Sequence, residues 1–131
     1  PHLPLDAHFA AGNFIRDAIA GGPIVVKGDG KSVRSYLYAS DLAVWLWTIL
    51  FKGKASEAYN VGSDAALSVA ELANAIALAT HCPVSTAGSA NGGERARYVP
   101  SASMAKSDLA LGIEVEQGDA IKRFIEWSTA C

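Results

Sequence analysis

The stretch between Ser40 and Gly53 restricts the fold more than any other part of this chain. Leu42, Trp45, Leu46, Ile49 and Leu50 fall at i, i+3, i+4, i+7 and i+8, the spacing of one helical face. Ser40 is placed to cap such a helix and Gly53 to end it. Val44, Trp47 and Phe51 lie off that stripe. The helix is therefore apolar on more than one side and needs a second layer to bury it. The run Leu42 to Phe51 is the longest apolar one, about half of the ~20 residues a bilayer span needs.

The elements around it read as a mixed α/β domain. Phe14, Ile15, Ala18 and Ile19 repeat at helical spacing over 13–20, and Gly21-Gly22-Pro23 closes that segment. Ile24 to Lys27 and Val33 to Tyr38 are rich in strand formers and flank Gly28-Asp29-Gly30, which predicts two short strands around a Gly-rich turn. Glu57 to Val61 reads as another short strand. Ser68-Val69-Ala70-Glu71 is a capping box that opens an Ala-rich helix reaching about Thr80. Ala87 to Gly93 has loop composition, and two further helices follow, one over 101–111 and one carrying Ile121, Phe124 and Ile125 on one face beside Trp127. The expectation is short strands with about five helices in one domain of 131 residues.

Composition sets the function classes. Half the residues are hydrophobic and 18% are charged, as in an ordinary globular domain, and the formal net charge is -2. That balance gives no broad field for nucleic acid or an acidic membrane surface, so an anionic ligand must be met by local cations. Cys82 and Cys131 are far apart, the second being the last residue, and read as reduced thiols of a cytoplasmic protein. His2, His8 and His81 lack zinc-site spacing, and no nucleophile triad stands out. The chain opens on Pro1-His2-Leu3-Pro4-Leu5, as if in mid-loop, which suggests a piece of something larger.

Several candidate ligand contacts have ordinary structural readings. Gly28-Asp29-Gly30-Lys31-Ser32 ends like a P-loop, but Val25 stands where that pattern needs glycine, and a strand rather than a helix follows. A structural hairpin is the better reading. Arg34, within an aromatic strand, either meets a carboxylate such as Asp41 or binds an anion. Arg95 and Arg97 alternate, so on a strand they face one way, towards a diphosphate or towards solvent. Trp45, Trp47 and Trp127 sit among aliphatics at helical spacing and read as core rather than as base-stacking platforms.

In order, Pro1-His2-Leu3-Pro4-Leu5-Asp6, Gly12-Asn13-Phe14-Ile15, Val26-Lys27-Gly28-Asp29-Gly30, Arg34-Ser35-Tyr36-Leu37-Tyr38, Asp41-Leu42-Ala43 and Tyr59-Asn60-Val61-Gly62-Ser63 resemble the extended short-chain dehydrogenases. The likeness is greatest to dTDP-glucose 4,6-dehydratase-like enzymes of the NAD-dependent epimerase/dehydratase family. It continues through Arg97-Tyr98-Val99-Pro100 and Leu111-Gly112 to the final helix. The resemblance implies an α/β fold: the small C-terminal substrate-binding lobe of such an enzyme, with the Rossmann domain absent, so that 1–131 is a single sugar-nucleotide-binding lobe.

That likeness also implies roles for particular residues. Arg34 matches an arginine that binds the substrate diphosphate, and Asn60 an asparagine beside it. Asn13 and Phe14 match a helix start that contacts the nucleotide, and Val25 and Lys27 match a strand flanking the base. A further family arginine falls here on Asn91, which leaves Arg95 or Arg97 to take its place or the phosphate site weaker. The Gly-rich dinucleotide turn and the Tyr-x-x-x-Lys pair have no counterpart: Tyr36 is followed by Ser40 at that spacing and Tyr59 by Ser63. The implied chain binds a nucleotide diphosphate-sugar, holds no cofactor although the full-length family uses NAD, and is catalytically inert alone. The alternative is a free-standing, non-catalytic sugar-nucleotide-binding or interaction module. A homodimer or a separate Rossmann lobe is the expected protein partner, and neither nucleic acid nor a membrane is.

Overall fold

The computed structural model describes residue 5, residues 9–88 and residues 96–130. Among them are five helices and five short strands: α1 Ala10–Ile19, β1 Ile24–Val26, β2 Val33–Arg34, α2 Ala39–Lys52, β3 Leu67–Ser68, α3 Val69–Thr80, β4 Val84–Thr86, β5 Arg97–Tyr98, α4 Ser103–Leu109 and α5 Gln117–Ala130. The mixed α/β class expected from the sequence is the one observed. None of these helices is long and apolar enough to cross a membrane.

The main core lies between α1, β1, α3 and α5. Phe14, Ile15 and Ala18 of α1 meet Ile24 and Val26 of β1, Leu72, Ala73 and Ile76 of α3, and Ile121 of α5. These α1 and α3 positions recur at helical spacing, and the two β1 residues are the alternate pair that a strand turns to one side. The α3 start is the capping box read from the sequence. Ser68 Oγ accepts the Glu71 N–H at 3.1 Å, and Glu71 Oε2 accepts the Ser68 N–H at 2.7 Å.

The expected hairpin between the first two strands does not form. β1 pairs in parallel with β4, whereas β2 is the middle strand of a separate sheet, antiparallel to β3 and parallel to β5. The turn sends the chain away from β1 because its carbonyls meet the start of α3: Gly30 O accepts the Ala70 N–H at 3.0 Å and Ser32 O accepts that of Val69 at 2.9 Å. Gly30 is required there. Its φ is +66°, and a Cβ would stand 2.9 Å from Ala70 Cβ and 3.1 Å from Val26 Cγ1.

A second, smaller core gathers Trp45 of α2, Ala102, Ala105 of α4 and Leu111, with Ile49, Tyr59 and Val61 partly buried against it. Trp45 donates its indole N–H to Gly112 O at 2.8 Å. This inward face corrects the expected stripe. Asp41 and Trp45 are the buried residues of α2, while Leu42, Leu46 and Leu50 are exposed, as are Val44, Trp47 and Phe51. The second layer that would cover them is not supplied by the described residues.

Smaller departures have local causes. α2 starts at Ala39, so Ser40 lies in its first turn and Tyr38 at the cap position makes no side-chain capping hydrogen bond. Residues 57–61 form no ladder; Tyr59 and Val61 pack on the second core instead. α4 is shorter than 101–111, with Ala110 in the left-handed region at its end. β4, which no apolar pattern in Val84-Ser85-Thr86 predicts, is exposed along its whole length. Most of the expected loop over 87–93 lies outside the described residues.

Candidate functional site

The candidate residues fall into two groups on either side of the Gly28 to Gly30 turn. Arg34, Arg97 and Asn60 gather around the three-stranded sheet. β2 and β5 are neighbours in register Val33 to Arg97 and Arg34 to Tyr98. Asn60 is tied to the chain just after β5, its Nδ2 donating to Ser101 O at 3.1 Å. Ser35 Oγ donates to Ser63 O at 2.5 Å, which joins the end of β2 to the same 60–63 loop. Gly62 closes that loop against Pro100, whose Cγ would lie 2.7 Å from a Cβ at position 62.

Arg34 does not pair with Asp41. Its Nη1 donates to Val33 O and to Ala96 O, each at 2.9 Å, so the guanidinium curls across the β2–β5 junction. Among the described residues no carboxylate forms an ion pair with Arg34 or Arg97. Two neutral carbonyls fix one nitrogen and leave the other donors of the fork for a ligand. Tyr36 lies within reach of this charge. Burial pushes the Tyr36 hydroxyl above its ordinary pKa, and the nearby Arg34 cation offsets part of that rise.

Strand alternation separates the two arginines. Arg34, Tyr98 and Leu67 are register partners on one face, while Arg97, Val33 and Ser68 stand on the other. Tyr98 is 77% exposed beside Arg34, a candidate contact that the sequence does not single out. Its signal was present in the Arg97-Tyr98 string, but only the cross-strand register shows which of the two faces Arg34. Arg95, with Asn91, lies outside the described residues.

The second group lies on α1 and β1. Phe14 is 3% exposed, a core side chain, whereas Asn13 is half-buried and its Oδ1 accepts from Arg16 Nη1 at 3.4 Å. Val25 is half-buried between its two core neighbours, with its N–H 3.4 Å from Asp17 Oδ2, and Lys27 is exposed just past the strand. Asp41 serves elsewhere. Its buried carboxylate accepts the N–H groups of Glu114 and Val115, both at 3.1 Å, and so fixes the segment leading into α5.

The Gly-rich turn does not fit a dinucleotide. Gly28 and Gly30 have positive φ and Asp29 Oδ1 accepts the Lys31 N–H at 3.0 Å, but the chain then enters β2. No helix N-terminus follows to meet a pyrophosphate. The described residues also hold no group of three or more His, Cys, Asp or Glu able to bind a metal ion.

Residues 4–62 match the model of the NAD dependent epimerase/dehydratase family. A dTDP-glucose 4,6-dehydratase of Xanthomonas campestris pv. campestris is 44% identical over 62 residues, which are 47% of this chain and 18% of that protein. A protein of Sinorhizobium fredii named "Probable dTDP-glucose 4,6-dehydratase" is 30% identical over 122 residues, 86% of this chain and 35% of its own length. The dTDP-glucose 4,6-dehydratase of Bacillus anthracis, solved with NAD, superposes with a TM-score of 0.86 at 19% identity, over 99% of this chain and 41% of that one. The UDP-glucose 4-epimerase of Thermotoga maritima, solved with UDP-glucose, gives 0.86 at 22%, over 99% and 42%. The chain belongs to the NAD-dependent epimerase/dehydratase family. It spans well under half the length of each of these relatives.

Proposed function

We propose that this chain is the nucleotide diphosphate-sugar-binding part of an NAD-dependent sugar-nucleotide 4,6-dehydratase or epimerase, a single lobe that is catalytically inert by itself. The observation that carries the reading is Arg34. It is a cation in the middle strand of a small sheet, anchored by two carbonyls and facing no described carboxylate. A planar fork in that state suits the oxygens of a diphosphate. The remaining amide N–H of Asn60 adds a neutral donor, and Tyr98 offers an exposed ring and hydroxyl on the Arg34 face. Arg95 and, from the opposite face of the sheet, Arg97 supply further positive charge, and Asn13, Val25 and Lys27 flank the nucleotide, while the buried Phe14 side chain anchors α1 in the core beneath them.

Family membership and the names of the relatives support the ligand class. The parent reaction in this reading oxidises a hexose at C4 and then eliminates water or re-reduces the ketone. This chain's share is to hold and orient the sugar nucleotide, and the turn geometry gives no reason to assign it a dinucleotide. The reading also places the protein in the cytoplasm, where sugar nucleotides are handled.

Amide chemical shifts of the labelled chain test this directly. Added dTDP-glucose or UDP-glucose should move signals in 33–36, 60–63 and 96–98, while NAD moves none of them, and neither sugar nucleotide should be turned over to a 4-keto product with NAD present. Shifts caused by NAD alone, or product formed by this chain, would contradict the assignment. The second reading is a free-standing binding module, favoured by the buried core that α1, β1, α3 and α5 form among themselves. It is distinguished by retention of sugar-nucleotide binding with no dependence on an added NAD-binding lobe.

A further inference from the structure

Residues 60–63 lie beside the sheet that carries Arg34 but form no ladder with it. Their distance from Arg34 must therefore be set by other contacts. Two come from the segment after β5. Ser101 O accepts an amide N–H of Asn60 at 3.1 Å, and Pro100 packs so closely on Gly62 that a Cβ there would stand 2.7 Å from its Cγ. A third comes from the continuation of β2, where Ser35 Oγ donates to Ser63 O at 2.5 Å.

These contacts close a ring around the candidate site. Arg34 is the register partner of Tyr98, the chain from Tyr98 runs on to Ser101, and Ser101 holds Asn60. From Asn60 the chain returns through Ser63 to Ser35, the residue next to Arg34. Without the Ser35 hydroxyl the ring opens between Arg34 and Asn60, the two side chains assigned to the diphosphate. Ser63 is buried, so its carbonyl has little access to water in exchange for the lost donor. The loop would have to shift to satisfy that oxygen, and Asn60 would shift with it.

Ser35 does not serve as a ligand contact itself. Side chains alternate along an extended chain, which turns Ser35 away from the Arg34 side, and its proton is committed to Ser63 O. Asn60 is exposed, and after its bond to Ser101 it keeps one N–H and its Oδ1 for a ligand. We propose that Ser35 is a positioning residue for sugar-nucleotide binding. Through Ser63 it holds the Asn60 amide at the distance from the Arg34 guanidinium at which both reach one diphosphate. This rests on the reading of Arg34 and Asn60 as diphosphate contacts.

Calorimetric titration of the full chain with dTDP-glucose and UDP-glucose, in a double-mutant cycle of Ser35→Ala and Asn60→Ala, tests it. Ser35→Ala should weaken binding by about three- to tenfold, the range of one neutral hydrogen bond, and Ser35→Thr, which keeps the hydroxyl, should restore it. In the Asn60→Ala background the same Ser35→Ala change should alter binding by less than about twofold, because the group being positioned is gone. Ser35→Cys has nearly the size of serine with a poorer donor, so a smaller loss in the same direction is expected even where Ser35→Ala does not fold. Unchanged binding in Ser35→Ala, an equal loss in both backgrounds, or failure of Ser35→Thr to restore affinity would overturn the proposal and leave Ser35 a purely structural role. A folded wild-type chain that binds neither sugar nucleotide is a different result: it would overturn the binding function, and the role of Ser35 would fall with it.

Discussion

At the scale of single residues, Arg34 and Gly30 show how far local chemistry constrains the site. An isolated guanidinium near a half-buried phenol is costly unless its donors are used, and two of its bonds end on neutral carbonyls. Arg34→Lys keeps the charge but loses the fork, so sugar-nucleotide binding should weaken about tenfold or more, by roughly 1.4 kcal/mol, while the melting temperature changes little. Gly30→Ala places a Cβ against Ala70 and Val26 at a positive φ. It should cost about 1–3 kcal/mol in denaturant unfolding. Arg34 was legible as either a pairing or a ligand-binding residue because an arginine among strand formers has few alternatives. The choice was not, because it depended on where the Asp41 carboxylate points. That carboxylate serves Glu114 and Val115, and Asp41→Ala should lower stability by about 1–3 kcal/mol by freeing their N–H groups.

At the scale of elements, the helices and the first two strands were legible, whereas the pairing of the strands was not. The α3 start could be read in four residues because a capping box is a local device, complete within one turn. Ser68→Ala should destabilise by about 1 kcal/mol. The Ser68 hydrogen bonds hold the Glu71 carboxyl below the ordinary glutamate range. With the folded-state pKa lowered, its contribution is complete above the unfolded-state value and is lost as pH falls through the folded one. The stability gap between wild type and Glu71→Ala, read from urea midpoints, should thus be constant near neutrality and shrink on acidification. The strands, by contrast, are two or three residues long and owe their existence to distant partners. Val25 sits opposite Ser85, a pairing that no period in Ile24 to Val26 could announce. The expected hairpin failed for the same reason: Gly30 and Ser32 carbonyls are claimed by α3. α2 was legible as a helix, but not its orientation, since it is apolar all round. The Trp45 indole bond to Gly112 decides which side turns inward.

For the molecule as a whole, two unequal cores divide the labour. The larger one buries α1 and α3 against β1 and α5, whereas the smaller one leaves the outward side of α2 exposed. The Ser35 to Ser63 bond joins the three-stranded sheet that carries Arg34 to the 60–63 loop, and the Gly-rich turn links that sheet to β1 in the other sheet. The proposed function needs both groups to meet one sugar nucleotide. Calorimetric titration of the wild-type chain and of Arg34→Ala with dTDP-glucose, UDP-glucose and NAD tests this most directly. The account predicts that a sugar nucleotide binds, that NAD does not, and that Arg34→Ala removes the binding while leaving the melting temperature unchanged. Binding that survives in Arg34→Ala, or no binding of either sugar nucleotide to the folded wild-type chain, would contradict it.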